Sequence, residues 1–271
     1  MKAVKTPAHR YDISAKYYDS AYAIKSDLVD LPFYLDLALQ AGGPILEMGC
    51  GTGRVLLPIA REGIEIHGLD NSAPMLRVLK AHLASEPADV QRKVHLHQGD
   101  MRRFRTNKKF ALVMIPFRPL QHMHTLPDQL AALTTAAHHL AKNGRLAFDV
   151  FYPKYESIFS AIGHEIPELE WQVPGDPAKI VRRHYRKDSV DKIHQIIHLT
   201  FLFRTYEGGQ IISEESELLD MSYYTYPQLQ ALFALAGLVP VKEYGSFAKT
   251  PIDNSAEQMI FILKKTKQAR G

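Results

Sequence analysis

The sequence predicts an α/β fold built on a mostly parallel sheet, and three observations lead to this prediction. Short apolar strands alternate with amphipathic helices over residues 28–150. A glycine-rich turn, residues 49–53, directly follows the first strand, and the acidic residues Asp70 and Asp100 follow the next two. Such alternation is typical of parallel sheets whose right-handed crossovers place helices on both faces.

The predicted elements follow one another in short steps. Asp27 is a candidate cap for a helix over 28–41, which Gly42 ends, and the buried strand 44–48 then runs into the glycine turn. The Asn143-Gly144 pair turns the chain into the last strand of this part. Further strands are predicted at 64–69, 94–98, 110–115 and 145–150, and further helices at 54–62, 72–83 and 127–140.

Beyond Pro153 the pattern changes to that of an antiparallel sheet. Strand-like stretches cover 180–185, 193–206 and 211–221, with predicted turns at Asp188-Ser189 and at 207–209. The first pattern then returns, as a helix over 226–236 and strands over 239–244 and 259–264. We therefore predict that an antiparallel piece is inserted after the fifth strand.

Composition limits the classes of protein that the chain can belong to. It has 271 residues, of which 46% are hydrophobic and 23% charged, with a net charge of +4, as is typical of globular domains. The single cysteine, Cys50, excludes an intrachain disulfide and a cysteine-clustered zinc site. No apolar stretch reaches the ~20 residues of a membrane-spanning helix. We expect a cytoplasmic protein without membrane contact.

The glycine turn and its acidic neighbours indicate the chemistry of a ligand. The turn has the spacing G-x-G-x-G with Glu47 ahead of it, whereas dinucleotide sites have G-x-G-x-x-G. A carboxylate at Glu47 repels a pyrophosphate and attracts a cation. Asp70, at the carboxyl end of a strand, is placed to accept hydrogen bonds from ribose hydroxyls, and Asp100 lies at the same edge. For both aspartates, a role as helix cap or turn residue stays open.

Four motifs in this order resemble a known family. Residues 45–53 resemble the first motif of class I S-adenosylmethionine (SAM) dependent methyltransferases, Asp70-Asn71-Ser72 with Met75 the second, 99–101 the third and 110–117 the fourth. The resemblance covers residues 44–150. It implies a Rossmann-like fold with a seven-stranded, mostly parallel sheet in the order 3-2-1-4-5-7-6 and an antiparallel lid inserted after strand five.

The resemblance also implies a cofactor site without metal. Asp70 would bind ribose, Asp100 and Met101 the adenine edge, Met75 a face of the ring, and the glycines the methionine part. Cys50 would be a small turn residue and no nucleophile. SAM, with S-adenosylhomocysteine as product, would contact Tyr18, Glu47, Gly49, Cys50, Gly51, Asp70, Asn71, Met75, Asp100, Met101 and Pro116.

The acceptor should lie beside the segment that follows the fourth strand. No Asn/Asp-Pro-Pro-Tyr/Phe sequence occurs there, which makes a nucleic-acid acceptor unlikely. The segment resembles that of small-molecule N-methyltransferases, including glycine/sarcosine and amino-sugar N,N-dimethyltransferases. The resemblance implies that His122 lies near the acceptor. An amine or hydroxyl acceptor must lose a proton, a task that suits an imidazole; a merely structural His122 stays open. We expect Arg118 and Gln121 to bind substrate.

The segment 15–22 resembles the one that folds over the cofactor in the same enzymes. By that match Tyr18 touches SAM and Tyr22 points toward acceptor and sulfonium; the alternative is a helix that packs its tyrosines against a sheet. The implied organisation is an N-terminal helical segment over the cofactor site (1–43), a SAM-binding Rossmann-like domain (44–153 and 223–271) and the lid (154–222).

Three functions agree with these features. The first is methyl transfer to a nitrogen or oxygen of a small molecule. The second is methylation of tRNA or protein, which the basic net charge permits, and the third is SAM binding without catalysis. A homodimer is open in each case.

Overall fold

The computed structural model describes residues 11, 13–24 and 29–266. The chain forms two compact units. Residues 29–153 and 223–271 form the parallel-sheet unit, and residues up to 28 with 154–222 form the antiparallel unit. The candidate cap Asp27 lies outside the described residues.

The strands are numbered along the whole chain. They are β1 (Ile45–Met48), β2 (Ile66–Asp70), β3 (Val94–Gln98), β4 (Phe110–Ile115), β5 (Leu140–Phe151), β6 (Glu165–Val173), β7 (Asp176–Asp191), β8 (Ile196–Glu207), β9 (Gln210–Ser222), β10 (Leu238–Tyr244) and β11 (Gln258–Lys265).

The helices are numbered in the same way, and a single 3-10 turn, Pro119–His122, follows β4. The described helices are α1 (Ser14–Ala23), α2 (Asp30–Ala41), α3 (Leu56–Arg61), α4 (Ala73–Ala84), α5 (Ala88–Gln91), α6 (Leu126–His139), α7 (Tyr155–Phe159) and α8 (Tyr226–Leu235). None of them is long and apolar enough to cross a lipid bilayer.

The parallel-sheet unit has the predicted topology. Its seven strands lie in the order β10-β11-β5-β4-β1-β2-β3, and only β11 runs antiparallel to the others, pairing with β5 and β10. Numbered within this sheet, the order is 3-2-1-4-5-7-6, so the predicted fold class is confirmed. Side chains cap several of its helices, because a hydroxyl oxygen accepts from a free N–H of the first turn: Ser72 for α4, Thr125 for α6 and Thr225 for α8.

Two apolar layers cover the two faces of this sheet. Successive side chains of β1 belong to different layers: Leu46 and Met48 pack in one layer and Ile45 packs in the other. Full burial of a large apolar side chain stabilises the fold by ~1.5–3 kcal/mol, so this core holds the strand ends in place. Glu47 points to the same face as Ile45, which α2 and α3 cover.

The antiparallel unit is a four-stranded sheet in the order β6-β7-β8-β9. Helix α1 packs on it through Tyr17, whose ring stacks on Phe203 with centroids 4.9 Å apart and meets the edge of Trp171. Glu217 accepts hydrogen bonds from the backbone of Ser14 at the start of α1, where a carboxylate favours the helix dipole.

Two sequence expectations for this unit differ from the structure. The turn predicted at Asp188-Ser189 is wrong, because both residues lie inside β7 at a bulge. There Asp188 accepts hydrogen bonds from Arg186 and Thr200, so a pair that usually makes turns is held within a strand. Strand β6 had no prediction, since Pro167 and its glutamates obscure the apolar alternation.

Candidate functional site

The glycine turn leaves β1 at the carboxyl edge of the sheet. Gly49 has φ +85°, and a Cβ there would lie 2.6 Å from Cγ of Pro119 and 3.8 Å from Cε of Met101. Only glycine therefore lets the turn approach the segment after β4 so closely. The N–H groups of Gly49 and Cys50 both donate to the Leu69 carbonyl, which ties the turn to β2.

Glu47 is a buried carboxylate with an unsatisfied oxygen. Its side chain is 2% exposed, and its Oε2 has no hydrogen-bond partner among the described residues. Burial raises the pKa of Glu47 well above its usual range, although Arg54 opposes this. A buried acceptor without a donor is costly, so the site favours a ligand that brings a donor or a positive charge.

Asp70 joins the glycine turn to α4. Its Oδ2 accepts from the Gly51 N–H at 2.8 Å and its Oδ1 from the Ser72 N–H at 2.8 Å. Burial raises the pKa of Asp70, while these backbone donors and that of Asn71 lower it. Asp70 therefore has the role of a turn residue, which the sequence had left open. Met75 is buried in the first turn of α4.

Cys50 is part of the core. Its side chain is 4% exposed and packs among the apolar residues below the turn. Burial raises the pKa of the thiol well above its usual range, so the thiolate needed for a nucleophile is not formed at neutral pH. This agrees with the turn role expected for Cys50.

An open cavity of about 590 Å³ lies beyond the ends of β2 and β3. This volume is within the range of small-molecule sites. Asp100, at its wall, is held by Arg102, whose backbone and guanidinium both donate to the carboxylate and lower its pKa. Asp100 is therefore also a turn residue. The cavity is lined by Asn71, Gln98, Gly99, Asp100, Arg103 and Phe104.

The segment after β4 has an unusual backbone held by a buried acid. Pro116 is buried, and Phe117 and Arg118 have φ values of +64° and +72°, which side chains other than glycine rarely adopt. Asp149, on β5, accepts from the Phe117 N–H at 2.8 Å and from the Tyr34 hydroxyl at 2.7 Å. Burial raises the pKa of Asp149 to about 6.

The predicted acceptor-binding residues follow this bend. Arg118 Nη2 donates to Gln258, while its buried Nε has no partner among the described residues. Gln121 is fully buried, and its Oε1 accepts from the Phe151 N–H at 3.1 Å. His122 is half-buried at the end of the 3-10 turn. Tyr224 supports that turn by donating to the Leu120 carbonyl at 2.7 Å.

A buried ion pair near the glycine turn was not predicted from the sequence. Asp30, 2% exposed, accepts two hydrogen bonds from Arg54, at 2.9 and 2.6 Å. The Arg54 guanidinium also lies 4.7 Å from the centroid of the Phe117 ring. Asp149 was missed as well, although a charged residue inside an apolar strand was a visible signal.

Tyr18 and Tyr22 lie on α1 in the antiparallel unit. Their ring centroids are 4.4 Å apart, and the Arg183 guanidinium lies 5.4 Å from the Tyr22 ring. Arg183 is buried and paired with Glu168 through two hydrogen bonds of 2.9 Å. Their roles toward cofactor and acceptor stay predictions.

Comparison with known proteins gives these features a context. Residues 45–144 match the family model described as a methyltransferase domain. A dTDP-3-amino-3,4,6-trideoxy-alpha-D-glucopyranose N,N-dimethyltransferase of Streptomyces venezuelae is 33% identical over 119 residues, which cover 44% of this chain and 46% of that relative. The matched stretch is thus less than half of the relative's length.

Two longer matches cover most of the chain at lower identity. The cypemycin N-terminal methyltransferase of a Streptomyces species is 23% identical over 224 residues, covering 83% of this chain and 84% of the relative. The structure of the CcbJ methyltransferase from Streptomyces caelestis superposes with a TM-score of 0.75 at 22% identity, covering 94% and 96% of the two chains. At this identity the superposition shows a shared fold.

Proposed function

Because the chain carries a SAM-dependent methyltransferase domain, we propose that it transfers the methyl group of SAM to an amine nitrogen of a small-molecule acceptor. The observation that carries this proposal is the buried, unsatisfied carboxylate of Glu47 beside the glycine turn. Cofactors that bind through a pyrophosphate do not suit such a site, whereas a ligand with an ammonium and a sulfonium does.

The residues at the strand ends fit SAM chemically. Glu47 offers its free oxygen to the α-ammonium, and the closely packed Gly49 keeps side chains out of the way. Asp70 keeps acceptor capacity for ribose hydroxyls while it holds the turn, since each carboxylate oxygen has two lone pairs. Bound SAM supplies an electrophilic methyl group on its sulfonium.

For the acceptor we propose a nitrogen nucleophile. Two of the relatives described above are named for N-methylation, one of an amino sugar and one of a peptide N-terminus. An amine reacts only when unprotonated, so an imidazole such as that of His122 suits removal of its proton. The Arg118 Nε–H has no partner among the described residues and is available to an acceptor oxygen.

Turnover with a panel of amino sugars, short peptides with free N-termini and phenols tests this proposal. Formation of S-adenosylhomocysteine with amines and not with phenols is expected. His122→Ala should lower kcat by ~10²-fold or more while the Kd for SAM stays nearly the same. The conservative His122→Gln should fail to restore kcat if proton transfer is the role. Activity on tRNA alone would favour the second function, and no activity on any acceptor the third.

Other features of the proposal rest on the sequence. The single, buried Cys50 suits a reducing compartment such as the cytoplasm. Contact of Tyr18 with SAM, a position of Tyr22 near the acceptor, a lid role for residues 154–222 and a homodimer remain predictions.

A further inference from the structure

A cluster of metal-binding side chains lies away from the glycine turn. In the register of β2 and β3, His67 is directly opposite His95, and Glu65 is two residues before His67 and therefore on the same face. One ligand atom from each of Glu65, His67 and His95 lies within 4.8 Å of the others. Among the described residues, these three form the cluster whose side chains could hold a metal ion.

The distances fit tetrahedral coordination. Ligands ~2.1 Å from a zinc ion lie about 3.4 Å from each other at the corners of a tetrahedron. Glu65 Oε1 is 3.1 Å from His67 Nε2 and 3.5 Å from His95 Nε2. Both distances from the carboxylate oxygen thus match the edge of such a tetrahedron.

His67 has a neighbour that would hold its ring in position as a metal ligand. His97 Nε2 lies 3.0 Å from His67 Nδ1. When Nε2 of His67 binds a metal, the Nδ1–H donates to His97, a second contact that commonly fixes metal-bound imidazoles.

Lys108 occupies the position that a cation would take. Its ammonium contacts Glu65 Oε1 and therefore faces the cluster. The Lys108 side chain is 36% exposed, so it can leave toward solvent. His95 is 47% exposed, which gives an ion and a water ligand access from outside.

We propose that Glu65, His67 and His95 bind a transition-metal dication such as Zn²⁺, with water as a fourth ligand and the Lys108 ammonium as its competitor. Two imidazoles and one carboxylate suit Zn²⁺, Ni²⁺ or Cu²⁺ better than Mg²⁺ or Ca²⁺. The ion would join β2 to β3, the outermost strand of the sheet.

This metal site is separate from the proposed methyl transfer. Glu65 directly precedes β2 and Asp70 ends it, so the two residues lie about 16 Å apart at ~3.3 Å per residue. Zinc binding should therefore leave the Kd for SAM unchanged. Failure of one proposal has no bearing on the other.

The test is zinc titration of protein without a histidine tag, in competition with a chromogenic chelator. One saturable site is expected on the intact chain. His95→Gln should weaken it at least ~tenfold, since a ligand is lost. Lys108→Met should strengthen it several-fold because the competing ammonium is gone. The matched control is His194→Gln, which removes an exposed histidine 2.7 Å from Asp191 and should change nothing.

The opposite results overturn the proposal. It fails if zinc does not bind at micromolar concentration, if His95→Gln leaves the affinity unchanged, or if His194→Gln weakens it equally. A second readout is Co²⁺, whose visible absorption should show four-coordinate geometry in the intact chain and lose it in His95→Gln. Zn²⁺ should also raise the Tm of the intact chain more than that of His95→Gln.

Discussion

Charged side chains of the antiparallel sheet and those at the carboxyl edge of the parallel sheet differ in their partners. In the antiparallel sheet, Arg182, Arg183, Arg186 and Arg204 are each paired with a carboxylate. At the carboxyl edge of the parallel sheet, Glu47 has an unsatisfied oxygen and Asp149 accepts hydrogen bonds from the neutral donors Tyr34 and Phe117. Both carboxyl groups are buried and have raised pKa values.

The difference separates charges that stabilise the fold from charges kept for a ligand. An exposed charge that is paired with a neighbouring side chain contributes little to the free energy of unfolding. A buried acid whose oxygens lack a cationic hydrogen-bond partner destabilises the fold until a ligand supplies the missing donor or charge, so such groups mark functional sites. Replacing Glu47 should therefore change stability and SAM affinity in opposite directions, whereas replacing a paired, exposed charge of the antiparallel sheet should change both only weakly.

Glu47→Gln gives the sharpest test. We expect the Kd for SAM to rise about a hundredfold, which corresponds to ~2.7 kcal/mol, because the ammonium loses its charged partner. The free energy of unfolding should increase, since an amide is cheaper to bury than a carboxylate. Calorimetry and urea denaturation measure the two effects. Lower stability together with unchanged affinity would place Glu47 among the structural charges.

Asp70→Ala should have the next largest effect. A lost ribose contact of ~1–3 kcal/mol raises the Kd for SAM at least tenfold. Stability should fall too, because the N–H groups of Gly51 and Ser72 lose their acceptor. Asp70→Asn is the control that retains one acceptor oxygen and should recover part of the stability. An unchanged calorimetric Kd would contradict the assigned cofactor position.

Asp149→Asn should change how stability depends on pH. The folded-state pKa of about 6 lies above the usual pKa of an aspartate, so the contribution of Asp149 is full below about pH 4 and is lost as pH rises through 6. The intact chain should therefore lose on the order of 1–3 kcal/mol relative to the variant across this window. Urea denaturation at pH 4, 5, 6 and 7 measures it. A difference that is constant with pH would show that Asp149 titrates normally.

Arg204→Gln should have the smallest effect. Arg204 pairs with Glu165 and Glu214, whose side chains are 36% and 51% exposed. Each exposed pair contributes ~0–1 kcal/mol, so loss of both should lower the unfolding free energy by less than about 2 kcal/mol, and the Kd for SAM should stay constant. A large loss of SAM affinity would remove the contrast between the two units.

Much of the parallel-sheet unit could be predicted because its signals are local. Alternating strands and helices predicted its parallel sheet, and the resemblance of motifs at 45–53, 70–75 and 99–101 implied the order of its strands. The helix predicted from residue 72 is α4, which Ser72 caps. Strand β6 and the bulge at 188–189 depend on partners across the sheet, which local patterns do not contain.

The candidate site shows the same limit. Glu47 and Asp70 were found because they stand at fixed distances from the glycine turn. Asp30 is 24 residues from Arg54, and Asp149 is 115 from Tyr34, so only the folded chain brings these groups together. The hydrogen bond from the Arg102 guanidinium to Asp100 was likewise not predicted, because the sequence does not show which nearby side chain contacts Asp100.

The acidic outer strands of the antiparallel sheet affect self-association. β6 carries Glu165, Glu168 and Glu170, and β9 carries Glu214 and Glu215. The arginine partners of the β6 glutamates and of Glu214 lie inward on β7 and β8, and Glu215 pairs with Lys16 of α1. An outer strand offers unpaired backbone groups to other chains, and like charges together with Pro167 oppose such pairing. Two copies of the chain are therefore kept from joining edge to edge, and this protection weakens as salt screens the glutamates.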